Sequence, residues 1–309
     1  MSADPEKYLI AVVGPTASGK TSLAIQLAIW LNTDIISADS RQFFREMNIG
    51  TAKPSAEELT RAPHHFIDTL SIEENYDVGQ FEKDVLEKIG TLFTDKKAVI
   101  LAGGSGLYCK AVWEGLDEFP EVGPAIREEL IDEHRNTGLP LLLEELQRAD
   151  PDYYATVDRQ NPQRIIRALE IIRGTGKAYS YFRNQGSPRV KRGFHNIKVG
   201  LEMPREELYT RIDLRMDQMI EKGLFEEARR LVQHRERNAL QTVGYSEIFR
   251  HFDGDYDYAE AVRLLKRNSR RYAKRQLTWF RKDPEIEWFD PRDPEQIKEY
   301  LSERMKTSR

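Results

Sequence analysis

The sequence predicts an α/β fold: a parallel sheet flanked by helices, with an all-helical segment inserted in its middle. Three observations carry this. Short apolar runs at 9–13, 35–38 and 97–102 each stop at a loop rich in Gly, Ser or Asp. Stretches with helical spacing of apolar residues separate them, the alternation that a parallel sheet needs. From about 114 to 192 the strand signal lapses and only helical spacing remains.

The first run leads into Gly14-Pro15-Thr16-Ala17-Ser18-Gly19-Lys20-Thr21, and then into Leu23, Ile25, Leu27 and Ala28 at helical spacing. This strand, G-x-x-x-x-G-K-T loop and helix is the P-loop pattern. Its chemistry suits an oligophosphate. Gly14 and Gly19 permit backbone angles that a side chain forbids, so the amides of 15 to 20 are expected to turn onto phosphate oxygens. Lys20 adds a full charge, and the Thr21 hydroxyl suits Mg²⁺. Whether the phosphates belong to a nucleotide such as ATP or to another diphosphate stays open at this point.

Size and composition narrow the class. The 309 residues suffice for one large domain or two smaller ones. No apolar run approaches membrane-spanning length, and the polar start is not a signal peptide. The single Cys109 rules out a disulfide within the chain and a cysteine-rich zinc site. A cytoplasmic protein is expected. The net charge of −4 does not advertise nucleic-acid binding, so local charge has to be examined.

The second strand ends at Ser37-Ala38-Asp39-Ser40-Arg41-Gln42, which sets Asp39 on the edge where such sheets bind ligands. A carboxylate there either holds Mg²⁺ through water, accepts a proton from a nucleophile, or caps a turn. Residues 49–54 and 63–68 are expected as loops. His64 and His65 lack a third ligand at helical spacing. Residues 79–94 carry Phe81, Val85, Leu86, Ile89 and Phe93 at helical spacing. The third strand ends in Gly103-Gly104-Ser105-Gly106, where a P-loop NTPase often carries an acid for Mg²⁺. The missing acid weakens an ATPase assignment and leaves Asp39 as the only acid so placed.

The inserted segment has two charge characters. Residues 114–150 hold eleven acids and three bases, whereas 158–192 hold nine bases and two acids. Pro162 opens a helix whose Ile165, Ile166, Leu169 and Ile172 form a core face, with Arg164 and Arg167 on another. Gly186-Ser187-Pro188 is expected as the linker back to the core. A strand follows at 195–201, then a helix in which Arg211 and Arg215 share a face. They either fork onto a diphosphate or pair with Glu207 or Asp213. Residues 261–282 contain nine bases and no acid, with Arg263, Arg267, Arg270 and Lys274 in one helical stripe. Such a run in a slightly acidic protein points to nucleic-acid phosphates. An edge strand at 286–289 and a helix at 293–306 close the chain.

Seven motifs together resemble the bacterial tRNA dimethylallyltransferases: GPTASGKT at 14–21, SADSRQ at 37–42, IGTAKP at 49–54, GGSGLY at 103–108, NPQRIIRALE at 161–170, QTVGYSE at 241–247 and KRQLTWFR at 274–281. They span nearly the whole chain in order. Ser105 stands where the family often has Thr, and Phe44 where Tyr is usual. The resemblance implies a P-loop NTPase-like core of 1–117 and 193–309, with residues 118–192 as a helical insertion gripping the anticodon stem-loop. It implies transfer of a dimethylallyl group from its diphosphate to N6 of adenosine 37, in tRNAs reading codons that begin with U. Gly14, Pro15, Thr16, Ala17, Ser18, Gly19, Lys20, Thr21 and Arg215 then hold the diphosphate, with Mg²⁺ near Thr21. Asp39 and Thr16 take the catalytic roles. The tRNA meets Asp39, Ser40, Arg41, Gln42, Ser105, Arg127 and the Gln163, Arg164, Ile165, Ile166 and Arg167 segment. Together with the basic stripe of Arg267, Arg270 and Lys274, this makes tRNA and dimethylallyl diphosphate the expected partners of a monomeric enzyme without a membrane.

Three rivals remain at this level: a small-molecule or nucleoside kinase, an RNA-binding P-loop switch that alters nothing, and a prenyltransferase acting on free adenine nucleotide. The kinase has no need of the basic C-terminal helix, and the last leaves both basic faces without purpose.

Overall fold

The run that enters the phosphate loop forms the central strand of the protein. In a computed structural model, which describes residues 6–117, 119–184 and 191–307, the elements follow in chain order. First come β1 (Tyr8–Val13), α1 (Lys20–Leu31), β2 (Ile35–Ser37), α2 (Ala56–Arg61), β3 (His64–His65), α3 (Val78–Leu92), β4 (Ala98–Gly103) and α4 (Gly106–Glu114). Then come α5 (Pro124–Thr137), α6 (Leu139–Ala149), α7 (Pro151–Thr156), α8 (Pro162–Thr175) and α9 (Tyr179–Asn184). The chain closes with β5 (His195–Leu201), α10 (Arg205–Glu221), α11 (Leu224–Leu231), α12 (Tyr245–Phe252), α13 (Tyr258–Phe280), β6 (Ile286–Phe289) and α14 (Pro294–Thr307).

Six strands form one parallel sheet in the order β3-β2-β4-β1-β5-β6. Alternation along β1 divides the core. Leu9, Ala11 and Val13 face one side, packed with Phe81, Val85, Cys109, Leu265 and Phe280. Tyr8, Ile10 and Val12 face the other, packed with Leu23, Leu27, Ile297 and Leu301. Both faces of the sheet are covered, as parallel strands require.

The chain packs as two units: residues 1–114 with 192–309, and residues 115–191. The second unit is helical, with a core of Leu130, Leu142, Leu146, Tyr153, Ile165 and Leu169. Asn161 caps α8 by accepting from the Arg164 amide, and Pro162 occupies its first turn. The expected loop at 63–68 contains a two-residue edge strand, β3, paired with β2. The Gly186-Ser187-Pro188 linker lies outside the described residues. No helix among the described residues is long and apolar enough to cross a membrane.

Candidate active site

Strand register brings three loops side by side. Val13 pairs with Gly103, and Ser37 pairs with Ala102, so β1, β4 and β2 end at one level. The loops at 14–19, 38–42 and 104–105 all leave from that edge. Their glycines serve packing within the protein. A Cβ on Gly103 would lie 2.2 Å from the Ala38 carbonyl oxygen, and one on Gly104 would lie 2.2 Å from Nε2 of Gln276. At Gly103 and Gly104 it is the chain itself that comes close to the backbone.

The phosphate loop depends on positive φ at Gly14 (148°) and Gly19 (93°). A Cβ on Gly14 would also meet the Leu201 carbonyl at 2.8 Å. The expectation that every amide from 15 to 20 faces a ligand needs correction. Pro15 has no N–H, and its carbonyl accepts from Lys20 Nζ at 2.6 Å. The Thr16 amide donates to Oε1 of Gln276 at 2.8 Å, and the Ser18 amide donates to the Pro15 carbonyl at 3.3 Å. Ser18 is fully buried. The first turn of α1 offers an anion further donors, because its amides have no partner inside the helix.

Three cations gather around one acid. Lys20, Arg41 and Arg215 are each half-buried, and none has a carboxylate in ion-pair contact among the described residues. Arg215 donates to Thr16 Oγ1 at 3.3 Å and to the Ala52 carbonyl at 3.5 Å. Burial, reinforced by Arg215, pulls the Lys20 ammonium down to about 8. Burial also holds the Arg41 and Arg215 guanidiniums below their usual value, with Asp39 opposing the shift at both. Asp39 itself accepts from the Arg41 amide at 3.0 Å. Arg211 is exposed and lines the outer opening with Lys20, Thr21 and Arg215. Neither Glu207 nor Asp213 competes for Arg211 or Arg215: Glu207 pairs with Arg292, and Asp213 with Arg270.

A cavity behind the loop is lined by Thr16, Ala17, Asp39, Arg41 and Arg215 on its polar side. Ile212, Met216, Met219, Leu224 and Val243 make its apolar wall. Ser269 and Tyr272 of α13 also line it, with the 50–52 and 242–244 segments. Burial, with Asp39 second, raises the Tyr272 phenol to about 12, so it remains a donor. Ser105 Oγ accepts from the Ser40 amide at 3.0 Å and donates to Ser40 Oγ at 3.2 Å. Gln42 is committed inside the protein. It accepts from Ser37 Oγ and donates to the carbonyls of Thr51 and Ala52.

Sequence reasoning missed Gln276, Tyr272 and the 242–244 segment as site residues. Gln276 joins the phosphate loop to the Gly104 carbonyl, donating to it at 2.9 Å. Its distance in sequence hides this bridge; the only local signal was its place in the KRQLTWFR motif. Gly244, with φ at 105°, lets the 242–244 segment turn along the cavity.

The other expected residues divide into two groups. On α13, Arg263 pairs with Glu260, Lys266 with Asp217, and Arg270 bidentately with Asp213. Arg267 donates to Asn268 Oδ1 at 3.1 Å, and Lys274 is exposed. In the helical unit, Arg127 and Arg167 share buried Glu170 at 2.8 and 3.1 Å, and Arg127 also reaches Gln163. Gln163 and Arg164 are exposed. Ile165 and Ile166 are corrected: their side chains are fully buried in the core of this unit and offer no surface to RNA. They occupy the inward face of α8, as their spacing requires.

Among the described residues, no group of three metal-ligating side chains includes His64 or His65. His64 Nδ1 lies 2.8 Å from the Ala62 carbonyl, and His65 Nε2 lies 2.8 Å from Asp34. Three carboxylates that approach one another, Glu114, Asp283 and Glu285, surround the Lys198 ammonium at 3.2, 2.6 and 3.0 Å. The lysine is the cation of that cluster.

Known proteins match this chain along its length. The family profile described as IPP transferase covers residues 42–283. A tRNA dimethylallyltransferase from Cytophaga hutchinsonii is 52% identical over 97% of this chain and 98% of its own length. A crystal structure of the full-length tRNA isopentenylpyrophosphate transferase from Bacillus halodurans is 37% identical, with a TM-score of 0.72 over 98% of each chain. A eukaryotic dimethylallyltransferase captured acting on tRNA superposes with a TM-score of 0.76 at 26% identity, over 97% of this chain and 77% of that one. Matched by that profile over most of its length and by a 52% identical relative, the chain belongs to the IPP transferase family.

Proposed function

We propose that this protein is a tRNA dimethylallyltransferase that prenylates N6 of adenosine 37 in tRNAs reading codons that begin with U, releasing diphosphate. One observation carries the reading: Lys20, Arg41 and Arg215 meet beside the phosphate loop with no carboxylate in ion-pair contact among the described residues, and Asp39 stands among them. Half-buried cations without counter-ions await an anion. The apolar wall of Ile212, Met216, Met219 and Leu224 suits five isoprenoid carbons, whereas a nucleotide needs a polar base pocket.

The chemistry follows from what each group can do. An adenine amine is a weak nucleophile, so it must be held against the allylic carbon. As the N6–C1 bond forms, the C1–O bond breaks and both electrons leave with the diphosphate. Lys20, Arg215 and the first-turn amides of α1 stabilise that charge. The Thr16 hydroxyl accepts from Arg215, which leaves its own proton to donate to the departing oxygen. Asp39 orients the amine and takes its proton. The Thr21 hydroxyl, at the start of α1 and lining the same opening as Lys20, would hold Mg²⁺, and that ion would neutralise diphosphate charge.

The adenosine must leave its stack to reach Asp39. The helical unit, with Arg127, Gln163, Arg164 and Arg167, is assigned to the anticodon stem-loop, and Arg41, Ser40, Ser105, Arg267 and Lys274 to its approach. The protein works as a cytoplasmic monomer. Incubation with unmodified tRNA, Mg²⁺ and dimethylallyl diphosphate should add one dimethylallyl group per tRNA, on adenosine, by nucleoside mass analysis. Unmodified adenosine under those conditions contradicts the reading. Thermal protection by ATP but not by dimethylallyl diphosphate would favour the kinase instead.

A further inference from the structure

Glu227 on α11 is nearly inaccessible, with 3% of its surface exposed, and it makes no ion pair among the described residues. Its carboxylate instead gathers four neutral donors. The amides of Asn48 and Ile49 reach Oε2 at 3.0 and 2.9 Å, and the Gly50 amide and the Tyr245 hydroxyl reach Oε1 at 3.0 and 2.6 Å. Three consecutive amides on one carboxylate form a nest that fixes the backbone of the loop. Gly50 packs against the Tyr245 ring so closely that a Cβ would lie 2.5 Å from it. The same loop then runs along the cavity as Gly50, Thr51 and Ala52, and the Ala52 carbonyl accepts from Arg215.

We propose that Glu227 is a positioning residue for the leaving group: it sets the 48–52 loop, and through the Ala52 carbonyl it aims Arg215 at the diphosphate. This rests on the reading of Arg215 as a diphosphate ligand. Both oxygens of Glu227 accept, so a glutamine in its place would turn an NH₂ toward two donors. The charge is needed as well as the shape, because three amides converge on it.

The test is a double-mutant cycle read by calorimetric binding of inorganic pyrophosphate with Mg²⁺ to the full chain. Arg215→Ala should weaken pyrophosphate at least tenfold. Glu227→Gln should weaken it about tenfold in the wild-type background and hardly at all in the Arg215→Ala background. Equal losses in both backgrounds, or none in either, overturn the proposal. A wild-type affinity that Arg215→Ala leaves unchanged instead overturns the underlying role of Arg215. If Glu227→Gln does not fold, Tyr245→Phe removes one of the four donors and should show the same non-additivity at about threefold. Additive behaviour of Tyr245→Phe then overturns the proposal.

Discussion

The phosphate loop and helix α13 are both rich in positive charge, yet they use it in opposite ways. Around the loop, Lys20, Arg41 and Arg215 are drawn out of water and have no carboxylate in ion-pair contact among the described residues. Along α13, Arg263 is exposed while Lys266 and Arg270 are half-buried, and all three already hold acids of the same protein. The basic run on α13 is far more conspicuous in sequence, but half of its stripe is already neutralised. The three cations around the loop are far apart in sequence, and among the described residues none of them has a carboxylate in ion-pair contact. Unpaired charge out of water marks a ligand more reliably than abundant charge at a surface.

The largest expected effect tests the acid among those cations. Asp39→Ala should lower turnover by about 10²–10⁴-fold, the usual worth of a positioned acid or base. Binding of tRNA should change little, since most of its affinity comes from phosphate contacts. Near wild-type turnover would remove Asp39 from the chemistry. Next, Lys20→Ala should cut kcat/KM for dimethylallyl diphosphate by about 10²–10³-fold, as lost stabilisation of a developing anion does. A change below about tenfold would place the diphosphate elsewhere.

The contrast also has a pH signature. Lys20 falls from the usual lysine value to about 8 because burial and Arg215 disfavour its charge. The penalty for charging it is therefore present in full below pH 8 and relieved as pH rises toward the unfolded value. Pyrophosphate needs the charged form, so its affinity should fall by up to about tenfold between pH 7 and 9 as the free protein loses that proton. Calorimetry in buffers of different ionisation enthalpy should show proton uptake on binding near pH 8. A flat profile would mean that the ammonium is not shifted by its surroundings.

The smallest effects sharpen the other side. Lys274→Ala and Arg267→Ala should each reduce the salt dependence of tRNA binding by about one phosphate contact. Arg270→Ala should move it less and instead lower the melting temperature slightly, because Asp213 loses its partner. Equal salt effects at all three would show that RNA displaces Asp213.

Much of this was legible in sequence because the signals are local. The phosphate loop, the position of Asp39 at the end of β2 and the core face of α8 each follow from spacing within about a dozen residues. What the sequence could not display were bonds that cross it. The Gln276 amide joins Thr16 to Gly104, and Glu227 gathers amides from residues 48–50; no local spacing shows either bond. The carry-over of a whole segment by resemblance also had a limit. Residues 163–167 include both faces of a helix, so Ile165 and Ile166 came along with Gln163, Arg164 and Arg167 although burial removes them from any RNA surface.

The most direct test is a crystal structure holding both an unreactive dimethylallyl diphosphate analogue and an anticodon stem-loop. Its diphosphate oxygens should lie against Lys20, Arg215 and the start of α1, with the extruded adenine N6 within hydrogen-bond reach of Asp39. A diphosphate bound away from that loop, or an adenine docked far from Asp39, would contradict the central claim.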